Sequence, residues 1–477
     1  MGQPWSFRSS AAFWNLPIER AGNGWVGVMG LVGLARSAGD FRVSLAGRVR
    51  RWRYRRAIDH RRELHALGSS GESFGAIQLA RLNLEWARVI DASPYYARMR
   101  RDRHLPSRFD SLQQFVTQVP PTTRADVQAH GAEMRCRGPE PDFYRTTGGS
   151  TAQPLQLPAW YSEIEETRPD MWLGRSWYGI TPESSVFMLW GHSHLLGSGF
   201  AGWYRGNLRR ISDFLLGYQR FSAYDLRPEQ LRVAADLLER KPPDYIIGYS
   251  VALDLFAQVN EGRADQLRAL GVKVVIATSE SFPSDRSAGR LEALFGCPVA
   301  MEYGAVETGL LAHTRPSGGF DGFWHTNLLD AAPADRGQQL YVTSLFPRCF
   351  PLIRYAIGDI VILPAGDHVS AVGIRQLASI VGRCNEHVVL EGGAVAHSEL
   401  FTHAIRTCSE VQAYQVVQAS SGTFIRYVAA QPLPSTTVEE IRGRLGRIHP
   451  SLRTVDLQRV EQLRQTVAGK TRMIVSQ

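Results

Sequence analysis

Cysteine, lysine and long apolar runs are what this sequence has least of. Its five cysteines are far apart and form no C-x-x-C pair, which argues against a disulfide framework and is typical of a reducing compartment. The apolar stretch at residues 24–35 is too short to cross a bilayer, which requires about 20 residues. No small-residue cleavage site follows a basic start, so the sequence does not indicate a signal peptide. We therefore expect a cytoplasmic protein.

The composition excludes several classes of protein. With 477 residues, 44% hydrophobic and 21% charged, the chain is not collagen-like, a coiled coil or wholly disordered, and it is long enough for two or three domains. It contains no repeat with a period of about 20 to 50 residues and no low-complexity tract. The 44 Gly and 25 Pro indicate many turns, which favours a mixed α/β fold over a helical bundle.

Lysine is rare, because the 54 basic residues include only Lys241, Lys273 and Lys470. Arginine is a planar, permanently charged fork, whereas lysine is a compact point charge that reaches single phosphate or carboxylate oxygens. Each lysine of this chain is therefore a position of interest for chemistry.

Nine arginines fall within the run Arg42–Arg62, against one acidic residue, Asp59. The run has two interpretations. It is a solvated helix face, which we favour, or it makes peripheral contact with anionic lipid at the inner membrane surface or with an acidic partner. A nucleic-acid partner is not expected, because Trp52 and Tyr54 are the only aromatic residues within the run.

Short apolar runs alternate with helical patterns from about residue 130 onward. The pattern predicts strands at residues 244–248, 272–278 and 298–303, with helices at 226–240 and 285–295. Such alternation predicts a sheet with helices on its faces. We expect a large, multi-layer α/β domain in which β-sheets are flanked by helices, with further antiparallel strands near residues 340–344 and 359–363.

The pattern changes near residue 380. Strands predicted at 411–419 and 423–430 are followed by a helix at 438–448 and a strand at 454–460. With an earlier strand and helix they form a β-α-β-β-α-β unit, which predicts a small α+β lid domain. We expect three segments: an N-terminal helical arm that is part of the large domain (1–104), the body of the large domain (105–383) and a small mobile C-terminal domain (384–477).

A loop rich in hydroxyl groups and glycine spans Tyr144–Pro154, with the sequence YRTTGGSTAQP. Backbone N–H groups and hydroxyls in such a loop can surround a phosphate, and glycine lets the backbone approach the anion closely. The segment lacks the spacing and the lysine of a Walker loop. Taken alone, it is more simply a surface turn.

Two acidic residues stand next to predicted strands. Glu307 lies in EYGAVET, directly after a strand, where ligands usually bind in an α/β sheet, and its carboxylate suits Mg²⁺ beside phosphates. Tyr303 of the same segment can stack on a planar base, although Tyr-Gly after a strand is also an ordinary turn. Asp359 ends PLIRYAIGD and can accept two hydrogen bonds from a ribose diol. Alternatively, Asp359 begins a strand or pairs with Arg354.

Two further motifs occur in the carboxyl-terminal part of the chain. In VGRCNE, Arg383 can reach a phosphate or a ribose, and Asn385 can act as a hinge. In AGKTR, Lys470 follows Gly469 on the final loop. A point charge delivered by a moving lid can stabilise negative charge that develops late in a reaction.

Each motif is weak alone, but their order is that of the adenylate-forming enzymes. The chain resembles this superfamily of acyl-CoA synthetases and adenylation domains over about residues 75–477. Within it, the sequence is most similar to the phenylacetate–CoA ligase family, and especially to its capsular polysaccharide biosynthesis branch. The segments PPDYIIGY (242–249), ATSES (277–281) and PLIRY (351–355) carry this finer similarity.

The resemblance implies that ATP and a carboxylic acid react with Mg²⁺ present to give an acyl-adenylate and pyrophosphate. The small domain would then turn, and a thiol such as coenzyme A, or an amine, would accept the acyl group. By position, the resemblance implies that ATP contacts two groups of residues: the phosphates contact Thr147, Gly149, Ser150 and Thr151, and the adenine pocket contains Glu280, Tyr303 and Gly304. It also implies that Asp359 contacts the ribose, that Arg383 assists at the nucleotide and that Glu307 binds Mg²⁺. Finally, it implies a hinge at Asn385 and a bridge from Lys470 to the substrate carboxylate and the α-phosphate.

The sequence departs from the family pattern at a few positions. Gly148 and Ala152 replace the usual Ser and Gly of the loop, Leu155 stands where a Lys often follows the loop's Pro, and Asn385 replaces the usual Asp of the hinge. Because Ala152 adds a Cβ where the backbone should be unhindered, we expect phosphate affinity or loop mobility to change. We expect these changes to affect the rate rather than the reaction class.

The walls of the acid pocket are expected in residues 189–205 and 245–282, including His192, Gly248 and Tyr249. These segments are rich in aromatic residues, Gly and Ser, which favours an aryl or medium-sized apolar acid. His192 and His194 would share one face of a strand, but no third zinc ligand is evident by spacing. We also predict no metal at His313 or His325.

Two classes of function remain open. The first is an adenylate-forming ligase of polysaccharide or secondary-metabolite biosynthesis, which transfers an acyl group to coenzyme A or to an amine. The second is a non-catalytic nucleotide-binding module that docks in a membrane-associated assembly through Arg42–Arg62. Acid-dependent pyrophosphate release distinguishes the two.

Overall fold

A computed structural model of the chain confirms the predicted class. The chain is a mixed α/β protein with several β-sheets flanked by helices and an α+β unit near its carboxyl end. The structure describes residues 45–67, 71–147, 155–190, 213, 216–223, 226, 228–279, 282, 286–334, 337–364, 372–383, 387–391, 395–397, 401, 404–405, 408, 410–411, 413–419, 422–463 and 474–476.

Helices occur along the whole described chain. Their bounds are α1 (Leu45–Leu67), α2 (Gly71–Ala92), α3 (Pro94–Asp102), α4 (Leu112–Gln118), α5 (Arg124–Met134), α6 (Tyr161–Ser176), α7 (Pro228–Arg240), α8 (Ser250–Val259), α9 (Ala264–Arg268), α10 (Ser287–Phe295) and α11 (Ser435–Ile448). Apolar residues three and four apart in residues 75–101, interrupted by Pro94, predict an amphipathic helix followed by a turn. The structure has α2 there, and α3 begins at the proline. Pro94 occupies the first helical turn, where its missing N–H leaves no helical hydrogen bond unmade.

The strands alternate with these helices through the middle of the chain. Their bounds are β1 (Phe143–Thr146), β2 (Gln156–Ala159), β3 (Val186–Trp190), β4 (Tyr218–Ser222), β5 (Tyr245–Tyr249), β6 (Val275–Thr278), β7 (Val299–Ala305), β8 (Gly309–Thr314), β9 (Phe320–Gly322), β10 (Asn327–Ala334), β11 (Gly337–Ser344), β12 (Tyr355–Ile362), β13 (Gln376–Leu377), β14 (Ser379–Arg383), β15 (His387–Val389), β16 (Val395–His397), β17 (Ala413–Ala419), β18 (Gly422–Val428), β19 (Asp456–Arg459) and β20 (Ile474–Ser476).

The largest sheet has the strand order β13-β9-β8-β7-β6-β5-β3-β4. Strands β4, β3, β5, β6 and β7 are parallel, and β8, β9 and β13 continue the sheet antiparallel. Strands β5 and β6 are buried along most of their length, which explains why they are short apolar runs in the sequence. Because the parallel strands share one direction, their carboxyl ends meet at a single edge of the sheet.

A second sheet has the antiparallel order β10-β11-β12-β14. The antiparallel strands predicted near residues 340–344 and 359–363 are β11 and β12. Buried apolar side chains of this sheet, including Leu340, Val342 and Val361, form one cluster with Tyr303 and Leu311 of the largest sheet. The two sheets therefore share a core on the side where β7 ends.

The carboxyl-terminal strands form a separate sheet with the order β19-β18-β17-β20. Helix α11 covers it with Ile441 and Leu445, which are four residues apart and fully buried. Val416 of β17 belongs to the same cluster of buried apolar side chains as Leu231 of α7. The Arg447 guanidinium also donates a hydrogen bond to the Leu226 carbonyl at 3.0 Å, so this unit packs on the α7 side of the protein.

Helix α1 contains most of the Arg42–Arg62 run and packs against α6. Arg50 is buried and donates a hydrogen bond to the Tyr218 hydroxyl at 2.8 Å. Arg61 is also buried and binds Asp170 at 2.8 Å and Glu166 at 2.9 Å. The expectation of a solvated face is therefore wrong for these two arginines, because acidic and polar groups of the protein's own body bind them.

The opposite face of α1 is in contact with solvent. Arg48, Trp52 and Arg56 are exposed there, and Trp52 retains 81% of its accessible surface. At the margin of this face, Arg53 forms an ion pair with Glu165 at 3.0 Å. None of the described helices combines the length and the apolar character that a bilayer-spanning helix requires.

Candidate functional site

The turn between β7 and β8 lies where the carboxyl ends of the parallel strands meet. The β7–β8 register shifts between Tyr303 and Gly304. A Cβ on residue 304 would lie 2.2 Å from the Gly309 carbonyl oxygen, so only glycine fits this approach of the two strands. The tight turn that results presents Glu307, which is 6% exposed, at the sheet edge.

Tyr303 connects the two sheets at this edge. Its hydroxyl donates a hydrogen bond to Asp359 Oδ2 at 2.7 Å. Asp359 is half-buried within β12, so the expectation that it begins a strand is wrong. Arg354 forms its short ion pair with Asp330, at 2.7 Å.

Strand register adds a third predicted residue to this pair. Asp359 of β12 lies directly opposite Arg383 of β14 in the antiparallel ladder. The backbone thus places Arg383 next to Asp359, while the Arg383 side chain lies outside the described part of the chain. Tyr303, Asp359 and Arg383, which come from three separate motifs, are therefore neighbours.

Glu307 is held by its main chain and by its carboxylate. Its carbonyl oxygen accepts a hydrogen bond from Arg348 Nη2 at 2.6 Å. Its Oε1 lies 3.4 Å from the Tyr355 hydroxyl and 3.6 Å from Arg124 Nη1. The carboxylate is thus buried, oriented and adjacent to one cation.

Thr147 marks the beginning of the predicted phosphate loop, which connects β1 and β2. The Thr147 N–H donates to the Leu155 carbonyl at 3.0 Å, and the Leu155 N–H donates to Thr147 Oγ1 at 3.0 Å. These bonds hold the two ends of the loop together. Thr147 Oγ1 also lies 3.4 Å from Arg124 Nη2.

Arg124 therefore lies between Thr147 and Glu307, and the sequence analysis did not identify it. It is the first residue of α5, whose beginning is fixed by a capping box between Thr123 and Asp126. The preceding Thr122 exchanges two backbone hydrogen bonds of 2.9 Å with the beginning of β12. One signal was available: a cation in the first turn of a helix opposes the helix dipole, so it suggests a role other than helix stability.

A buried charge network includes Arg145 of β1, the strand that precedes the predicted phosphate loop. The Glu163 carboxylate, which has no exposed surface, accepts hydrogen bonds from Arg145 at 2.7 Å and from the Cys349 N–H at 2.9 Å. Arg348 Nε lies 3.4 Å from the same carboxylate, and burial together with the Arg145 charge lowers the pKa of Arg348 to about 10. Since Arg348 also binds the Glu307 main chain, the network ties the strand before the loop to the turn after β7.

Two of the predicted acid-pocket residues, Gly248 and Tyr249, lie at the end of β5, farther along the same sheet edge. Tyr249 is half-buried at the end of β5, and its ring packs 4.5 Å from the Trp190 ring, centroid to centroid. Gly248 is buried, and a Cβ there would lie 2.9 Å from the Leu189 carbonyl oxygen, so this glycine allows β3 and β5 to pack closely. The predicted site residues outside the described part of the chain are Gly149, Ser150, Thr151, His192, Glu280, Asn385 and Lys470.

The two histidines that follow the β7–β8 turn in the sequence are buried. His313 Nδ1 lies 2.9 Å from the Thr314 carbonyl oxygen, and burial lowers the pKa of His313. His325 lies between two guanidinium groups, with Arg61 at 2.6 Å and Arg81 at 2.6 Å. Burial and these two charges lower the pKa of His325 to about 2, so the ring is neutral at physiological pH.

The solved structures of similar shape include several of 2-hydroxyisobutyryl-CoA ligase. Its complex with 2-HIB-AMP and CoA in the thioesterification state has a TM-score of 0.56 at 16% identity, covering 85% of this chain and 90% of that chain. Its postadenylation state with R3-HIB-AMP gives 0.53 at 15% identity, covering 84% and 89%. An open conformation gives 0.50 at 16% identity, covering 83% and 90%. The likeness shows that this chain has the fold of that adenylate-forming ligase.

The sequence itself gives no comparable match. No protein-family model matches the chain, and no curated protein matches it either.

Proposed function

We propose that this protein is an ATP-dependent ligase that activates a carboxylic acid as its acyl-adenylate, releases pyrophosphate and transfers the acyl group to a thiol or an amine. The meeting of Tyr303, Asp359 and Arg383 at the sheet edge where Glu307 also lies carries the proposal. These residues come from three motifs that are far apart in the sequence. The shared fold supports it, because 2-hydroxyisobutyryl-CoA ligase binds an acyl-AMP and CoA.

We propose a contact for each part of the nucleotide. Adenine stacks at Tyr303 and Gly304, the ribose diol donates hydrogen bonds to Asp359, and Arg383 lies beside the ribose. The phosphates extend toward Thr147 and the loop with Gly149, Ser150 and Thr151. Two hydrogen bonds of 3.0 Å between Thr147 and Leu155 hold the two ends of this loop together.

Glu307 is the proposed Mg²⁺ ligand. Mg²⁺ prefers oxygen donors and commonly binds one or two carboxylates together with substrate phosphates. The Glu307 carboxylate is buried, its main chain is held by Arg348, and its Oε1 lies 3.4 Å from the Tyr355 hydroxyl, which fits this preference. Bound there, Mg²⁺ would neutralise charge on the phosphate oxygens.

Lys470 and the small domain complete the proposed mechanism. Attack of the carboxylate on the α-phosphate builds negative charge on oxygens, and catalysis depends on positioning and fixed cations. Lys470 supplies that cation from the final loop, and the small domain (384–477) rotates about Asn385 between the two half-reactions. Residues 1–104 and 105–383 together form the large domain.

For the substrates, we propose a chemical class and not an individual compound. The motif order and the segments PPDYIIGY, ATSES and PLIRY support a place beside the phenylacetate–CoA ligase family and its capsular polysaccharide branch, which suggests polysaccharide or secondary-metabolite biosynthesis. The half-buried Tyr249 next to Trp190 supports an aryl or medium-sized apolar acid. His192, with Gly248, would form another part of that pocket. Coenzyme A and amines remain the two candidate acceptors.

Pyrophosphate release tests this proposal. The purified protein is incubated with Mg·ATP and a panel of aryl, branched and straight-chain acids, and pyrophosphate is measured continuously. At least one acid is expected to give release that depends on both the acid and ATP. Nucleotide binding without release for any acid would instead support the non-catalytic module. Once an acid is found, coenzyme A and amines are compared as acceptors.

The outer face of α1 supports a peripheral membrane contact from the cytoplasmic side. Exposed Trp52 stands between Arg48 and Arg56, and an aromatic ring flanked by arginines suits an anionic lipid surface. Co-sedimentation with anionic and with neutral vesicles tests this contact. Wild-type protein should bind anionic vesicles only, and Trp52→Ser should bind less than Leu84→Ser, which changes an exposed residue of α2. Equal binding of the two variants would argue against the contact.

A further inference from the structure

The segment between Tyr144 and Leu155 contains a single basic residue, Arg145. Its guanidinium is bound to Glu163 at 2.7 Å and its side chain is 7% exposed. Arg145 therefore neutralises the buried Glu163 carboxylate, and a triphosphate bound at this segment needs a cation from another element.

Arg124 brings a cation to this place from the beginning of α5. One of its terminal nitrogens lies 3.4 Å from Thr147 Oγ1, and the other lies 3.6 Å from Glu307 Oε1. The planar fork of arginine binds two oxygens of a phosphate group at once, which a single ammonium group does not. The Arg124 guanidinium thus faces the proposed phosphate loop and the proposed Mg²⁺ ligand together.

The position of Arg124 is well defined by the backbone. Thr122 is hydrogen-bonded to the beginning of β12, and the Thr123–Asp126 capping box fixes the first turn of α5. Helix stability does not account for a cation at this point, because the positive end of the helix dipole repels it. The side chain is 35% exposed, so a ligand can reach it from solvent.

We infer that Arg124 binds the β- and γ-phosphates of ATP and, in doing so, moves from Glu307 and leaves that carboxylate to Mg²⁺. This inference rests on the proposed function. The two contacts of Arg124 with Thr147 and Glu307 are longer than the roughly 2.7–2.9 Å of a fully formed charge-assisted hydrogen bond. A small movement of the fork toward a phosphate therefore breaks no short bond to either group. AMP has no β- or γ-phosphate, so its affinity should not depend on Arg124.

Calorimetric titration of the full chain with Mg·ATP and with AMP tests the inference. Arg124→Gln should weaken ATP binding about tenfold or more and leave AMP binding within about twofold, and Arg124→Lys should fall between it and wild type. Arg98→Gln is the matched control, since it removes another half-exposed arginine whose Glu partner, Glu133, is on α5. It should change neither affinity, and thermal unfolding of each variant shows whether it is folded.

The outcomes separate this inference from the proposed function. If wild type binds ATP more tightly than AMP and Arg124→Gln retains the same ratio of affinities, the inference is overturned and the proposed function stands. If Arg124→Gln weakens both nucleotides equally, Arg124 is not a contact of the terminal phosphates and the inference is again overturned. If wild type binds neither nucleotide, the proposed function is overturned and this inference with it.

Discussion

Tyr303 and Asp359 are 56 residues apart in the sequence, and a hydrogen bond of 2.7 Å joins the Tyr303 hydroxyl to Asp359 Oδ2. The bond connects β7 of the largest sheet to β12 of the antiparallel sheet. Across the β12–β14 ladder, Asp359 lies opposite Arg383. A planar base can stack on an aromatic ring, and ribose hydroxyls can donate hydrogen bonds to a carboxylate beside it.

The first prediction concerns this pair. Asp359→Ala should weaken ATP binding about 100-fold, because it removes a charged acceptor for two ribose hydroxyls. Tyr303→Phe should weaken binding only about threefold to tenfold, since it removes the hydroxyl that orients Asp359 and retains the ring. Titration calorimetry with ATP measures both effects. Tyr178→Phe is the control, because it removes a hydroxyl that donates to Thr314 at the far end of β8. Equal effects of the three substitutions would contradict the assignment.

The second prediction concerns the proposed metal ligand. Glu307→Gln retains the shape of the side chain but loses the charge that attracts Mg²⁺. The Mg²⁺ concentration that supports half-maximal pyrophosphate release should rise about tenfold or more. Activity should recover in part at saturating Mg²⁺. An unchanged Mg²⁺ dependence with a lower maximal rate would show that Glu307 acts in another way.

The third prediction concerns the contribution of the buried Glu163 network to stability. Glu163→Gln leaves the buried Arg145 and Arg348 without their shared carboxylate, which should lower the free energy of unfolding by about 3–5 kcal/mol. Glu165→Gln, two residues along the same helix, changes an exposed ion pair with Arg53 and should cost less than about 1 kcal/mol. Urea denaturation followed by circular dichroism measures both changes. Similar losses for the two variants would refute the structural role assigned to Glu163.

The fourth prediction concerns pH. The pKa of His325 is lowered to about 2, so below its ordinary pKa of about 6.5 the unfolded chain binds a proton that the folded protein does not. The contribution of this group to stability is therefore complete above about pH 6.5 and is lost as the pH falls, by about 1.4 kcal/mol per pH unit. Unfolding free energies at about pH 7.5 and about pH 5 should differ less in His325→Gln than in wild type.

A control distinguishes this effect from general acid sensitivity. His104 is an exposed histidine beyond the end of α3, so His104→Asn should retain the wild-type dependence on pH. If His325→Gln and wild type lose the same stability between the two pH values, His325 is not the group that titrates on unfolding.

Local patterns in the sequence predicted the strands and the turn that bear Tyr303 and Glu307. They succeeded because a buried parallel strand is a short apolar run and because the ends of such strands converge at one edge. The bend at Pro94 was also predicted, since proline removes a helical donor, but the helix that follows it was not. Asp359 was placed at the beginning of a strand, whereas the structure has it inside β12.

Contacts between distant segments were not predictable from local patterns. Glu163 and Cys349 are 186 residues apart, and Arg61 and His325 are 264 residues apart, so no spacing rule connects them. The same limit explains why the inward arginines of α1 were taken as solvated. Arg124 was missed because the role proposed for it depends on two partners, Thr147 and Glu307, that only folding brings to it.

Isotope exchange between labelled pyrophosphate and ATP tests the central claim most directly, because it requires the bond between the α- and β-phosphates to break and re-form. With an accepted acid and Mg²⁺ present, wild type should catalyse exchange that disappears when the acid is omitted. Lys470→Ala should lose about 100-fold or more of the exchange rate while retaining ATP binding, and Lys241→Ala should retain both. Exchange that does not need an acid, cleavage of ATP to ADP, or full exchange by Lys470→Ala would contradict the account.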